Sequence, residues 1–276
     1  MAVQDYETIR LDIGVDGVAR LTLHRPEVHN ALNGEMIDEI GRALDVIEAD
    51  PAIRTVVLSG TGPVFCAGGD FRWQQSQKDK DRQSRIESVR PLAELLARLD
   101  TFPRLTIGRI QGPAYGGGVG MISVCDVVVA TDAAKVALTE VRLGLVPGTI
   151  SPYVAAKLGP SFSRRVFLNA RPITPDEALH YGLFHRVVPA DRLDAAIDEE
   201  IDLALSCAPG AVAITKALVR YVMSHDAEDN LIYTVDRVAD FWETEEAAEG
   251  MQSFYEKRKP AWHRQHAPSP LTKSGV

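Results

Sequence analysis

The first part of the chain predicts a strand, a helix and a second strand in succession. Apolar and polar residues alternate over 18–24, as in a strand with one buried face. From Asn33, a suitable N-cap, hydrophobic residues recur at helical spacing until Asp50. A short apolar run over 55–58 then predicts a buried strand.

The alternation of strand-like and helix-like segments continues through the middle of the chain. Leucines at helical spacing follow Pro91, which should start or kink their helix. Residues 105–110 and 127–130 have strand patterns, separated by a glycine-rich loop over 112–118 and a short helix over 119–124. Such alternation predicts α/β layers whose strands are largely parallel.

The pattern becomes mostly helical in the second half of the chain. Gly159 suits the end of one helix, and a capping-box sequence at Thr174 predicts the start of another. We divide the chain into an α/β body, residues 1–200, and a C-terminal helical region, residues 201–276. That region folds either over the body or over a neighbouring subunit. Residues 267–276 are expected to be frayed.

Composition and cysteine usage favour a globular protein of the reducing cytosol. Hydrophobic residues make up 45% of the chain and charged residues 25%. The sequence has neither an apolar run of about 18 residues nor a signal-like N-terminus. Cys66, Cys125 and Cys207 lie far apart, without the spacing of zinc ligands or of a redox motif, and the histidines show no metal spacing. We therefore expect a cytoplasmic protein with no metal and no membrane contact.

The charge balance argues against nucleic-acid binding. The 30 basic and 38 acidic side chains give a formal net charge of −8. A nucleic-acid-binding protein needs basic surface to release the counterions of phosphate groups. We therefore expect no nucleic-acid partner, and any polyanionic ligand must be bound by local groups.

Two glycine-containing loops, 65–70 and 112–118, each follow a strand-like segment. Glycine lets a backbone N–H approach a ligand closely, and two such groups that converge on one point would form an oxyanion hole. The alternative is that the glycines only turn the chain. Neither loop matches a P-loop or a complete dinucleotide-binding fingerprint.

Five segments together resemble the crotonase superfamily, which comprises enoyl-CoA hydratases and isomerases. They are residues 25–33 (RPEVHNALN), the loop 65–70 (FCAGGD), the triple glycine 116–118, residues 138–147 (LTEVRLGLVP) and residues 249–259 (EGMQSFYEKRK). Their order and spacing match the family over nearly the whole chain. The resemblance implies an α/β fold, a crotonase spiral of ββα units, with a C-terminal helical trimerisation region. It also implies a homotrimer or dimer of trimers, an acyl-CoA thioester substrate, and no cofactor beyond the coenzyme A of that substrate.

The resemblance also implies a set of site residues. The N–H groups of Gly69 and Gly117 would hold the thioester oxygen as it becomes an enolate, and one such donor contributes about 3–4 kcal/mol. The implied coenzyme A site has Ala67, Gly68 and Asp70 along the adenine and pantetheine path, Val28 and Ala31 on the opposite wall, and Phe254 and Lys257 at the nucleotide end. Trp73 either lines the acyl cavity or packs beneath the first loop.

Glu140 is the predicted acid/base, because the family carries a catalytic glutamate in this segment. Its mostly apolar neighbours should raise its pKa, which suits proton exchange near neutral pH. From the residues alone, the alternative is a surface glutamate paired with Arg142.

The sequence departs from the two-glutamate hydratases at Gly120, where those enzymes carry their second glutamate. Glu140 alone would then manage both the water and the proton at C2, or another group must help. This departure, together with Phe71, Arg72 and Trp73 after the first loop, resembles bacterial methylglutaconyl-CoA hydratases.

Three functions stay open at this point. The favoured one is hydration of a 2-enoyl-CoA, with 3-methylglutaconyl-CoA as one substrate. The second is isomerisation of a 3-enoyl-CoA to a 2-enoyl-CoA, which needs only one carboxylate. The third is a non-catalytic module that binds acyl-CoA or RNA, although the acidic net charge disfavours RNA.

Overall fold

The computed structural model describes residues 5–266, so the predicted fraying of residues 267–276 lies outside the described residues. The strands are β1 (Ile9–Ile13), β2 (Val18–Leu23), β3 (Thr55–Gly60), β4 (Leu105–Ile110), β5 (Ala114–Tyr115), β6 (Val127–Thr131), β7 (Val136–Ala137) and β8 (Arg186–Val188). The helices are α1 (Gly34–Ala49), α2 (Phe71–Ser76), α3 (Arg82–Thr101), α4 (Gly117–Ser123), α5 (Ser151–Phe167), α6 (Pro175–His180), α7 (Leu193–Ser206), α8 (Pro209–Val222), α9 (Ala227–Trp242) and α10 (Glu245–Tyr255).

The main sheet has the strand order β1-β2-β3-β4-β6-β8. Strand β1 is antiparallel to β2, and every other neighbouring pair is parallel. The four predicted strands all lie in this sheet, so the prediction of a largely parallel α/β arrangement is confirmed. Strand β1 was missed, although Ile9, Leu11 and Ile13 alternate with polar residues.

Short strand segments form a second layer beside the main sheet. Leu32 pairs with Gly69, Cys66 pairs with Ala114, and β5 pairs with β7. Successive parts of the chain therefore repeat a long strand, a short strand segment and a helix, for example β4, β5 and α4. This repetition places the two glycine loops next to each other in the second layer.

Helices cover both faces of the main sheet. On one face, Ile40 and Leu44 of α1 and Leu96 of α3 share a buried cluster with Leu21 and Leu58 of the sheet. Burying one such side chain contributes about 1.5–3 kcal/mol. On the other face, α7 packs against β3, β4 and β6.

Several helix boundaries differ from their predictions. Helix α3 begins at Arg82, and Pro91 lies inside it rather than at its start. Pro91 is exposed, so solvent can satisfy the carbonyl that loses its N–H partner. Gly159 (φ 70°, ψ 162°) interrupts α5, which agrees with the predicted helix end. The capping box of Thr174 and Glu177 is confirmed.

The division at residue 200 stays a prediction. Helix α7 contains residue 200 and packs on the main sheet. Helix α8 is therefore the first helix after the part of the chain that covers the sheet. Among residues 5–266, no single helix is long and apolar enough to cross a bilayer. Residues 190–206 with α8 meet that criterion only as a pair, and the pair is bent by 103°.

Candidate active site

The first glycine loop lies alongside residues 29–32. The Ala67 N–H donates to the His29 carbonyl (2.9 Å), and the Gly68 carbonyl accepts from the Leu32 N–H (2.7 Å). The Asp70 N–H donates to the Leu32 carbonyl (2.8 Å). The backbone is thus held on both sides of Gly69, whose own N–H donates to no acceptor within residues 5–266.

Asn30 holds this arrangement together, a role that the sequence analysis did not assign. Its side chain is fully buried and its φ is 55°. The side-chain amide donates to the carbonyls of Thr61, Val64 and Phe65, and its oxygen accepts from the Arg25 N–H. A buried amide with all these bonds made fixes the approach to the first loop. Asn30 belongs to the segment 25–33 that carries the family resemblance, but no role was predicted for it there.

The second glycine loop turns into α4. Gly116 has a φ of 46° and a ψ of −116°, and its carbonyl accepts from the N–H groups of Val119 and Gly120. The helix begins at Gly117, two residues before its predicted start. Gly117 is the first residue of this helix, so its N–H has no acceptor within the helix. It also has no other acceptor in the described part of the chain.

The two loops are in contact through Gly68, which requires glycine. Its φ is 90°, and a Cβ there would lie 2.9 Å from the Tyr115 carbonyl oxygen and 3.5 Å from the Gly117 nitrogen. The structure therefore brings the backbones around Gly69 and Gly117 together, and neither N–H group has an acceptor among residues 5–266. Their role as oxyanion donors remains a prediction.

Glu140 lies against the second glycine loop. It begins a 3-10 turn after β7, and its Oε1 lies 2.7 Å from the position that a Cβ on Gly116 would take. Its Oε2 is buried and has no hydrogen-bond partner in the described chain. Burial raises the pKa of this carboxyl. The alternative ion pair with Arg142 is not formed, because that guanidinium donates to the Ala170 carbonyl (3.0 Å).

The side chain of Ile150 fills the space beside Gly120, the residue at which the resemblance implies a second glutamate in two-glutamate hydratases. A Cβ on Gly120 would lie 2.3 Å from Cγ2 and 2.9 Å from Cβ of Ile150. Ile150 is only 2% exposed. A side chain larger than glycine at residue 120 would therefore force Ile150 or the backbone to move, and Glu140 supplies the carboxylate that lies over Gly116.

Asp70 has a structural role that the sequence did not reveal. Its carboxylate caps α2 by accepting from the N–H groups of Arg72 (2.9 Å) and Trp73 (3.3 Å), and it pairs with Arg25 at 3.0 Å. Burial raises the pKa of Asp70, but these hydrogen bonds lower it more, so the net shift is downward. Trp73 itself lies half-buried on α2.

The remaining predicted coenzyme A residues fall into two groups. Val28, which is 37% exposed, and Ala31, which is buried, lie in or beside the segment that pairs with the first loop. Phe254 is 87% exposed near the end of α10, and Lys257 follows it on the surface. Helix α10 packs on α9.

A further side chain at the site escaped the sequence analysis. The Gln74 amide nitrogen lies 2.7 Å from the position of a Cβ on Gly69. Gln74 sits in a polar stretch without any motif, so only the turn from the first loop into α2 places it there.

Known proteins resemble this chain over most of its length. The structure of an enoyl-CoA hydratase from Shewanella pealeana ATCC 700345 has a TM-score of 0.90 and 34% identity, and covers 94% of this chain and 97% of its own. Pseudomonas aeruginosa AtuE has a TM-score of 0.89 and 33% identity, over 94% of this chain and 100% of its own. Enoyl-CoA hydratase ACTT6 of Alternaria alternata is 34% identical over 205 residues, 74% of this chain and 67% of that protein.

These similarities confirm the predicted fold class, and a family-level match agrees with them. The family model described as Enoyl-CoA hydratase/isomerase matches residues 14–265, which include every main-sheet strand except β1, both glycine loops, Glu140 and the C-terminal helices. The resemblance inferred from the five segments is therefore confirmed. The chain belongs to the enoyl-CoA hydratase/isomerase family of enzymes.

Proposed function

We propose that this enzyme adds water reversibly to a 2-enoyl-CoA thioester. The observation that carries the proposal is that three groups lie on adjoining segments: the N–H groups of Gly69 and Gly117, which have no acceptor among residues 5–266, and the Glu140 carboxylate over Gly116. Family membership and the names of the Shewanella and Alternaria relatives support the same reaction class.

The two amides would stabilise the charge that develops on the thioester oxygen. When the oxygen of water bonds to C3, the C2–C3 π electrons move toward the thioester and form an enolate. Preorganised donors at Gly69 and Gly117 act on that oxygen, and losing one such donor costs about 2.7–4 kcal/mol. Gly68 matters indirectly, because only glycine there allows the two loops to approach.

Glu140 would carry out both proton transfers. Its carboxylate takes a proton from water as the C3–O bond forms, and the resulting carboxylic acid returns a proton to C2 as the enolate collapses. Burial raises the pKa of Glu140, which makes its carboxylic acid form easier to reach and so suits the return of a proton to C2. Ile150 occupies the space of a second carboxylate, so one residue has to serve both steps. No cofactor takes part besides the coenzyme A of the substrate.

The coenzyme A portion would lie along Ala67, Gly68 and Asp70 and the facing residues Val28 and Ala31. Phe254 and Lys257 would complete a site in a neighbouring subunit, which is consistent with their exposed positions. A homo-oligomer, trimer or dimer of trimers, is supported by large apolar side chains that α9 leaves exposed. These are Leu231, Ile232, Val235, Val238 and Trp242.

Charge and thiols support the proposed compartment and partners. The net charge of −8 supports an enzyme without a nucleic-acid partner. The unpaired cysteines support a cytoplasmic location.

Isomerisation of a 3-enoyl-CoA is the second candidate, and the single carboxylate favours it. An isomerase removes a proton from C2 and returns one to C4, so Glu140 and the same two amides suffice. Among hydratase substrates, 3-methylglutaconyl-CoA is the finer candidate, because the sequence after the first loop resembles hydratases of that compound.

One experiment separates these functions. The purified protein is incubated in ¹⁸O-labelled water with crotonyl-CoA, longer 2-enoyl-CoAs, 3-methylglutaconyl-CoA and a 3-enoyl-CoA. A hydratase places the label in a product hydroxyl, whereas an isomerase yields an unlabelled 2-enoyl-CoA. Coenzyme A thioesters that bind tightly without turnover would instead indicate a binding module.

The role of Glu140 is tested by Glu140→Gln, with the exposed Glu94→Gln on α3 as a matched control. We expect the first variant to lose about 10²–10⁴ in kcat and the second to keep wild-type activity. A loss below about tenfold in Glu140→Gln would contradict the assignment.

A further inference from the structure

Arg25 joins the two segments that meet at the first glycine loop. Leu32 pairs with Gly69 in the second layer. Ala31 precedes the first of these residues, and Asp70 follows the second. The Arg25 Nη1 donates to the Ala31 carbonyl (2.7 Å) and to Oδ2 of Asp70 (3.0 Å). One nitrogen atom therefore bridges the two segments directly beside the pair that contains Gly69.

Both the main chain and the side chain of Arg25 are held in place. Its N–H donates to the side-chain oxygen of Asn30 (2.9 Å), and its carbonyl accepts from the Asn30 N–H (2.8 Å). The Arg25 side chain is only 17% exposed, and the carboxylate that it binds is 11% exposed. A partly buried ion pair is screened by solvent much less than a surface pair, and its charge-assisted hydrogen bond is stronger than a neutral one. The bridge is therefore built to hold a fixed geometry.

The acidic end of the bridge lies one residue from the Gly69 amide. The Asp70 N–H donates to the Leu32 carbonyl (2.8 Å), and Oδ1 of Asp70 caps the helix that follows the loop. Burial raises the pKa of Asp70, and the hydrogen bond from Arg25 is the largest of the effects that lower it. Arg25 thus keeps this carboxylate ionised as well as in position. Removing Arg25 would loosen the chain on one side of Gly69.

We propose that Arg25 is a positioning residue that holds the Gly69 N–H in the direction needed to donate to the thioester oxygen. It acts through Ala31 and Asp70 rather than by contact with the reacting atoms. The inference rests on the proposed function, because that function gives Gly69 its role as an oxyanion donor. It adds one charged side chain to a donor arrangement otherwise built from main-chain groups.

The carbonyl stretching frequency of a bound thioester tests this inference without turnover, because hydrogen bonds to a carbonyl oxygen lower that frequency. Butyryl-CoA is saturated and cannot be hydrated. It is labelled with ¹³C at the thioester carbonyl and measured by infrared spectroscopy when bound to the full-length protein. Arg25→Met removes the donor, whereas the amine of Arg25→Lys can replace Nη1. The matched control is Arg20→Met on β2, since Arg20 is 20% exposed and lies 3.9 Å from Asp16.

We expect the wild type and Arg20→Met to show the same lowering of this frequency on binding. Arg25→Met should lose about half of it, because the Gly117 donor remains, and Arg25→Lys should recover much of that loss. With crotonyl-CoA, kcat of Arg25→Met should fall about 10–100-fold with a smaller change in KM, since a displaced donor affects the transition state most.

Four results would overturn the inference. They are a wild type without any lowering of the frequency, equal lowering in Arg25→Met and Arg20→Met, no recovery in Arg25→Lys, and a rise in KM at unchanged kcat in Arg25→Met. Melting temperatures check that each variant is folded. If Arg25→Met does not fold, Asp70→Asn takes its place, because it removes the negative charge of the pair and should lose the same share of the frequency change.

Turnover by the wild type decides the proposed function separately. If no 2-enoyl-CoA is hydrated, hydration is refuted, and the infrared comparison still decides the role of Arg25. Conversely, hydration by the wild type together with a frequency that Arg25→Met leaves unchanged would refute only the role of Arg25.

Discussion

The contact between Gly120 and Ile150 decides whether the site can hold a second carboxylate, and a single methyl group tests it. Gly120→Ala adds a Cβ that would stand 2.3 Å from Cγ2 and 2.9 Å from Cβ of Ile150, with Cδ1 of Leu96 at 3.6 Å. The Ile150 Cβ is attached directly to the backbone, so rotating the side chain cannot remove that contact. The backbone of α4 or of the segment before α5 must move.

Two opposing contributions set the change in the free energy of unfolding of Gly120→Ala. Overpacking a well-filled interior costs about 1–3 kcal/mol. Replacing glycine by alanine within a helix gains up to about 1 kcal/mol. Because both Ile150 contacts lie below 3.0 Å, we take the upper part of the first range and expect a net loss of about 2 kcal/mol. For a domain of this size, that loss lowers the melting temperature by about 4 °C or more.

Gly41→Ala is the matched control for this measurement. Gly41 also lies inside a helix, α1, but a Cβ there would meet nothing within 4 Å. This variant should therefore show only the helical gain and melt about 2 °C higher than the wild type. Thermal unfolding is followed at one fixed protein concentration, because assembly makes melting temperatures depend on concentration.

The result that refutes this reasoning is a Gly120→Ala variant that melts at or above the wild-type temperature. Ile150→Ala provides a second check, since truncating Ile150 removes the closest atom. In the double variant, the loss should be smaller than the sum of the two single losses by about 1 kcal/mol or more. Strict additivity would mean that the two residues do not compete for the same space.

Three further predictions follow from the same structure. Burial raises the pKa of Glu140 in the folded protein above its value in the unfolded chain. Ionised Glu140 therefore lowers the free energy of unfolding, fully at pH values above the raised pKa and not at all below the pKa of the unfolded chain. Glu140→Gln should thus raise the melting temperature at pH 7 but not at pH 4, and an equal gain at both pH values would contradict this. Burial also raises the pKa of Cys66 and Cys125 to about 12, so native protein should react with one equivalent of Ellman's reagent, at exposed Cys207, and Cys207→Ser with none. Thr174→Ala removes the capping box of α6 and should cost about 1 kcal/mol in thermal unfolding, whereas Thr174→Ser should be close to wild type.

Much of the fold was predictable because its signals are local. Hydrophobic patterns located α1 and four of the six main-sheet strands, β2, β3, β4 and β6, and side-chain caps located helix starts at Asn33 and Thr174. Pro91 misled the prediction of α3, since an exposed proline can be accommodated inside a long helix.

The residues of the candidate site also differ in how far the sequence predicted them. The glycine loops and Glu140 carried visible patterns, and the resemblance to a family gave them hypothetical roles. No role was predicted for Asn30, although it lies in the segment 25–33, and Gln74 lies in no motif, because the roles of both come from contacts with residues distant in the chain or around a turn.

The sequence by itself determined the alternation of strands and helices, the two loops where glycine is required, and the family to which the chain belongs. These features depend on short-range geometry and on residue types at fixed spacing. Only the tertiary structure decided which N–H groups stay unpaired, that Ile150 fills the space over Gly120, and that the Gln74 amide lies on Gly69. Such facts depend on which distant segments meet, and a linear pattern of hydrophobic and polar residues does not specify those contacts at the resolution of a single methyl group.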